Sequence, residues 1–260
     1  MGQREVYDQL KDFDILVPKV VSAIAKGSLV IRGGKIVQAL TASLEPNSPW
    51  IFEEGEDLRH CRKWNQIYFQ LYGMISRGCF DCYKVVARPR TVVELFKVRA
   101  LQKKLGLAGK CGLETRPASK AKGLYAAFWY CPHGEGLEGA KKLHKRIELE
   151  VKKEIGFQVP VILKRACTEM EDAAGPTDQW NFPEVQYKVE NYLDEIFEVE
   201  RIKTEQPEFL KLHILKEWIE YAWENRDETV KEFVSNPKVS LGLVGTVTYQ
   251  EGSGTAKEQP

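Results

Sequence analysis

Gly78-Cys79-Phe80-Asp81-Cys82-Tyr83-Lys84-Val85-Val86-Ala87-Arg88 opens the stretch whose reading decides the fold. A CxxC runs straight into Tyr83–Arg88, whose aromatic and β-branched residues suit a strand. Thr91-Val92-Val93-Glu94 then has the form of a capping box, in which the Thr hydroxyl and the Glu carboxylate serve free backbone N–H groups. Leu95, Val98, Leu101 and Leu105 continue a helix to a stop at Gly106. Cys111–Arg116 reads as a second strand and Leu124–Tyr130 as a third, with a polar turn between them. Leu137, Ala140, Leu143, Ile147, Val151 and Ile155 recur at steps of three and four and mark a second helix, which ends at Gly156. Val159–Ala166 supplies a fourth strand.

The order strand, helix, strand, strand, helix, strand is the split βαβ pattern of the ferredoxin-like superfold. The expected fold class is therefore α+β, with a ferredoxin-like βαββαβ core over residues 78–172. An N-terminal helical region, 1–77, packs on it in this reading. A C-terminal helical region, 173–240, and a partly disordered polar tail, 241–260, follow. Within the N-terminal region, residues 4–26 read as a helix bent at Pro18. Leu29–Ile31 and Lys35–Val37 flank a Gly33-Gly34 turn, and 45–49 is a loop. The acidic residues from Glu53 to Asp57 lead into a helix that carries Cys61 and Trp64 on its apolar face and stops near Gly78. In the C-terminal region Val185, Val189, Leu193 and Ile196 mark one helix, and Leu212, Leu215, Trp218 and Ile219 another.

Hydrophobic content of 43% and charged content of 29% over 260 residues are ordinary for a globular protein. No apolar run approaches the roughly 20 residues of a spanning helix, and the N-terminus lacks the apolar core of a secretory signal. Gly2 is followed by Val6 where a myristoylation signal needs Ser or Thr. The expectation is a cytoplasmic protein with no membrane partner. In that compartment six cysteines favour metal binding or redox chemistry over a disulfide framework.

Spacing alone makes the single CxxC a weak metal motif, because no second pair accompanies it. The expected topology adds to it. In the split βαβ arrangement the starts of the first two strands share a sheet edge with the ends of the last two. Cys79 and Cys82 open the first strand and Cys111 the second, while Cys131 and Cys167 close the third and fourth. Cys61 enters from the preceding helix. The expected ligand set is Cys79 and Cys82 with two of Cys61, Cys131 and Cys167, and His133 stands as a substitute for one thiolate. Soft thiolates suit an iron–sulfur cluster or zinc. Neighbouring aromatics such as Phe80, Tyr83, Trp129 and Tyr130 would shield a cluster from water and favour the first, with electron transfer or cluster-assisted chemistry as its use. The competing reading is that these cysteines are inert core groups.

Net charge is only +1, but residues 88–122 carry ten basic side chains against Glu94 and Glu114. The topology places Arg88, Arg90, Arg116, Lys120 and Lys122 at the opposite edge. There they would receive an acidic protein partner, an anionic substrate or nucleic acid. The alternative function is thus a zinc-stabilised nucleic-acid-binding module, and a further one is a metal-free structural or interaction protein. Glu169 and Glu171 near Cys167 form a mixed-charge loop able to touch a hard metal ion. No P-loop, GxGxxG, HExxH or GxSxG is present, so no reaction class is indicated.

Overall fold

The computed structural model describes residues 16–27, 29–38, 48–53, 61, 63–116, 122–181, 184–198 and 206–234. The N-terminal half of the expected first helix, the acidic segment 54–57, Lys120 and the tail lie outside the described residues. Within them the chain is mixed α+β, with two sheets. No helix among the described residues is long and apolar enough to cross a membrane.

The smaller sheet follows α1 (Leu16–Ala25). Strands β1 (Leu29–Arg32) and β2 (Lys35–Gln38) pair antiparallel, with Arg32 opposite Lys35. Gly33 and Gly34 both have positive φ, 55° and 75°, which a two-residue hairpin turn requires and which glycine adopts without Cβ strain. A two-residue strand far along the chain, β8 (Phe197–Glu198), adds parallel to β2. Leu29, Tyr68, Tyr72, Met74, Leu193 and Phe197 join this sheet to its neighbours in one apolar cluster.

The larger sheet contains β3 (Trp50–Glu53), β4 (Tyr83–Ala87), β5 (Gly109–Leu113), β6 (Tyr125–Tyr130) and β7 (Val161–Arg165) in the spatial order β3-β5-β6-β4-β7. Every neighbouring pair is antiparallel. Four of these strands are those read from the sequence. The edge strand β3 is additional, and it pairs Ile51 with Cys111. Strand β5 begins at Gly109, two residues before the expected start, so Cys111 sits in mid-strand instead of at the sheet edge.

Alternation along the strands gives the sheet two different faces. Val85, Ala87, Tyr125, Ala127 and Trp129 point toward helices α4 (Val92–Leu105) and α5 (Gly136–Glu154) and, with Leu95, Val98 and Ile147, form the main core. Cys111 lies in that core with no exposed surface. Val86, Ala126 and Phe128 belong to the second face, where Trp50 and Tyr130 pack against them.

The expected single helix before the CxxC is broken. A π-helical stretch, Lys63–Phe69, passes into the short α2 (Gln70–Tyr72) and ends at Gly73, whose φ of 70° caps it. After an extended link, α3 (Arg77–Phe80) carries Cys79. Beyond β7 come α6 (Thr168–Ala174), α7 (Glu184–Ile196) and α8 (Glu208–Glu224), the last directly after Pro207 as its sequence suggests.

The N-terminus of α4 shows how distant segments lock together. The Thr91 hydroxyl accepts from the Glu94 N–H at 3.2 Å, the first half of the expected capping box. The Glu94 carboxylate instead accepts from the Arg90 N–H and from Gln158 Nε2. The N–H of Val92 goes to Asp227, which also accepts from the Tyr125 hydroxyl at 2.8 Å. Asp227→Ala strands both buried donors. It should lower the unfolding free energy by about 3 kcal/mol in a urea titration, charge-assisted hydrogen bonds of this kind being worth about 1.5–3 kcal/mol each before their non-additivity. A loss below about 1 kcal/mol would show that the junction does not hold the helix to the sheet.

Candidate functional site

The site forms where the second face of the large sheet meets the segments before β4 and after β7. Lys84 is the one charged residue in the middle of the otherwise apolar β4, and the strand's alternation turns it to this second face. It is 9% exposed. Its ammonium lies 3.7 Å from Cys167 Sγ.

Cys167 is positioned by a strained turn. Ala166 has a φ of 51°, uncommon for a residue with a Cβ, and its N–H donates to the Cys82 carbonyl at 2.7 Å. That bond ties the exit of β7 to the entrance of β4 and brings the Cys167 and Cys82 side chains into one neighbourhood. On the other side, α3 is pinned to α7. Buried Glu190 accepts from the Arg77 N–H at 2.8 Å and from the Ser76 hydroxyl at 3.2 Å. Burial raises the Glu190 carboxyl above its usual range. Gly78 gives room to Trp64, since a Cβ there would lie 2.2 Å from the indole ring. The Trp64 ring in turn meets His133 edge-on, with centroids 5.3 Å apart.

A cavity of about 400 Å³ opens between these elements. Cys61, Cys82, Cys167 and His133 line it together with Lys84, Lys110 and Arg116. Trp50, Phe52, Phe128 and Tyr130 supply aromatic wall. Cys79 is buried behind it, in a cluster with Ile75, Met170 and Trp180 that Cys167 and Phe80 also touch.

The thiols act on one another. Cys61 shares a hydrogen bond with Cys167, and the two shift in opposite senses. The Cys61 thiol, held by that bond and by burial, is pushed up. Cys167, accepting the bond and facing the Lys84 ammonium, is held well below the usual thiol range despite its burial. Burial first, then the neighbouring Cys82 and Cys167, raise Cys79. Burial works against the charge of Lys84, but Cys167 and Cys82 outweigh it and raise the lysine above its ordinary value.

The expected ligands are thus divided. Cys61, Cys79, Cys82 and Cys167 come together, with His133 on the cavity wall. Cys131 packs with Tyr83, Ala140 and Leu143 in a separate cluster. The reason is parity along β6, where Tyr130 is the last residue facing the cavity and the next points to the helices. Among the described residues no group of three or more His, Cys, Asp and Glu side chains is arranged to hold a metal ion.

The expected basic edge is also rearranged. Arg88 and Arg116 both reach the buried Glu114 carboxylate, at 3.4 and 2.5 Å. Arg116 further approaches Glu169 at 3.7 Å, which brings it to the cavity and away from the far edge. Arg90 and Lys122 are exposed, and Lys120 lies outside the described residues. Glu171 pairs with Lys164.

The sequence reading missed Lys110. It alternates with buried Cys111 on β5 and enters the second face, where its ammonium sits 4.5 Å from the Trp50 ring centroid and 5.4 Å from that of Phe128. Burial, followed by the charges of Lys84 and Arg116, pushes it down to about 8. A lysine inside a strand otherwise made for burial is the signal that could have found both Lys84 and Lys110. Comparison with protein-family models, curated proteins and solved structures found no match.

The depressed lysine sets a pH dependence. Between about pH 8 and its ordinary 10.5, an unfolded Lys110 holds a proton that the folded one has released. Folding stability contributed by this group therefore rises with pH across that window. The difference in unfolding free energy between the protein and Lys110→Met should climb from pH 8 to 10.5 in parallel urea titrations, and a pH-independent difference would contradict the assignment.

Proposed function

We propose that Cys61, Cys79, Cys82 and Cys167 form a thiolate-ligated metal centre carried by a ferredoxin-like βαββαβ core. The observation that carries this reading is that Cys61, Cys82 and Cys167, from three separate chain segments, line one cavity, and that Cys82 and Cys167 also act on the buried Cys79. Four soft sulfur donors match the ligand number of both structural zinc and iron–sulfur clusters. The donor set fits such a group electrostatically as well. Four thiolates carry more negative charge than a divalent ion neutralises, and a buried excess needs a nearby cation. Lys84 stands beside Cys167 for that role.

Closing the shell requires the thiol side chains to turn toward a common centre. Phe80, Trp64 and Tyr130 border the position and would keep water from it. Such dry surroundings favour an iron–sulfur cluster over zinc. The chemistry supplied by a cluster would be one-electron transfer; zinc would instead brace the junction of β4 and β7. The fold reading rests on the strand order, in which the second βαβ half interleaves with the first so that all four core strands alternate in direction.

Metal content of protein purified without oxygen tests the proposal. The expected result is stoichiometric iron with acid-labile sulfide, or stoichiometric zinc. Single Cys→Ser changes at 61, 79, 82 or 167 should each lower the content at least tenfold, while Cys111→Ala and Cys131→Ala retain it. Metal-free, folded protein, or loss on changing Cys131 and not Cys167, would overturn the assignment.

A further inference from the structure

The cysteines line the cavity and answer Lys84, whereas at Lys110 the influence of Cys167 and Cys61 is smaller than that of the cations Lys84 and Arg116. A lysine ammonium this deeply placed is expected to meet a carboxylate or a full set of hydrogen-bond acceptors. Lys110 has neither. Its contacts are the faces of Trp50, Phe52 and Phe128, at 4.5, 5.8 and 5.4 Å. The charges acting on it most strongly are the cations Lys84 and Arg116. Arg116 is occupied by Glu114 and Lys164 by Glu171, and among the described residues no carboxylate pairs with Lys110.

Like charges crowded in a half-closed space are relieved by an anion from outside. The surroundings also describe the rest of that ligand. Trp50, Phe52 and Tyr130 bound the same space with flat apolar surface, and planar rings stack favourably on such side chains. At about 400 Å³ the cavity falls in the usual range for small-ligand sites.

We propose that this part of the cavity binds a nucleoside phosphate, with the phosphate on Lys110 beside Arg116 and the base against the Trp50–Tyr130 wall. The assignment is independent of the metal centre, because it uses none of the thiols. The same chemistry is offered by a free nucleotide and by one unit of a single strand, and the test separates them.

Calorimetric titration of the full chain with AMP, orthophosphate and a ten-residue oligo(dT) decides it. AMP should bind at least tenfold more tightly than orthophosphate, and Lys110→Met should weaken AMP at least tenfold with metal content unchanged. Oligo(dT) binding tighter than AMP, and weakening steeply with salt, assigns the site to a strand; equal or weaker binding assigns it to the free nucleotide. Should Lys110→Met fail to fold, as judged by circular dichroism, quenching by AMP of the emission that Trp50→Phe removes reads the same contact. Failure of both AMP and oligo(dT) to bind, orthophosphate binding as tightly as AMP, unchanged AMP affinity in folded Lys110→Met, or unquenched Trp50 emission would overturn the proposal.

Discussion

The buried ammonium of Lys84 is the constraint around which the cavity side of this protein is arranged. A charge taken out of water must be answered or it becomes neutral. No carboxylate reaches it among the described residues; it donates to Cys167 Sγ at 3.7 Å, and Cys82, Tyr130 and Cys61 also favour its charge. The Lys84 ammonium and the Cys167 sulfur therefore favour each other's charged form, with the hydrogen bond from Cys61 the larger cause of the acidity of Cys167. The positive φ of Ala166 is the local strain that accompanies it, fixed by the bond to the Cys82 carbonyl.

The division of labour between the sheet's faces follows from the same alternation. One face is continuous with the helices and carries nearly all the main core, including Trp129, Trp218 and Ile147. Stability is thus concentrated where chemistry is absent. The other face is free to hold groups that a core would not tolerate, such as two lysines, three cavity-lining thiols and several partly exposed rings. Helix α7 connects the two sheets and, through Glu190, fixes the segment just before the CxxC. A metal at the four thiols and an anion on Lys110 would occupy adjoining parts of one cavity, with Lys84 between them in electrostatic terms.

Much of the large sheet was legible in the sequence, because four of its five strands and its two long helices each carry a clear period or end at glycine or a polar turn. The gathering of Cys79, Cys82 and Cys167 was legible too, since it depends only on which strand ends share an edge. What escaped was where β5 starts and which face a strand-end residue takes. Moving the start of β5 by two residues puts Cys111 in mid-strand, and the place of Cys131 one residue beyond Tyr130 turns it toward Ala140. Strand β3 was hidden in Trp50-Ile51-Phe52, a run too short to stand out between a proline loop and acidic residues. The path of Arg116 back to the cavity depends on its ion pairs with Glu114 and Glu169, which no spacing rule encodes. The break at Gly73 arises from a π-helical segment whose apolar spacing resembles an ordinary helix.

X-ray absorption at the metal edge of anaerobically purified protein tests the central claim most directly. A first shell of sulfur alone, at about 2.3 Å for zinc or a similar distance for iron, is the predicted result, and in the Cys167→Ser variant that shell should lose a sulfur. A first shell of oxygen and nitrogen, or a sulfur shell untouched by the change at Cys167, would contradict the account.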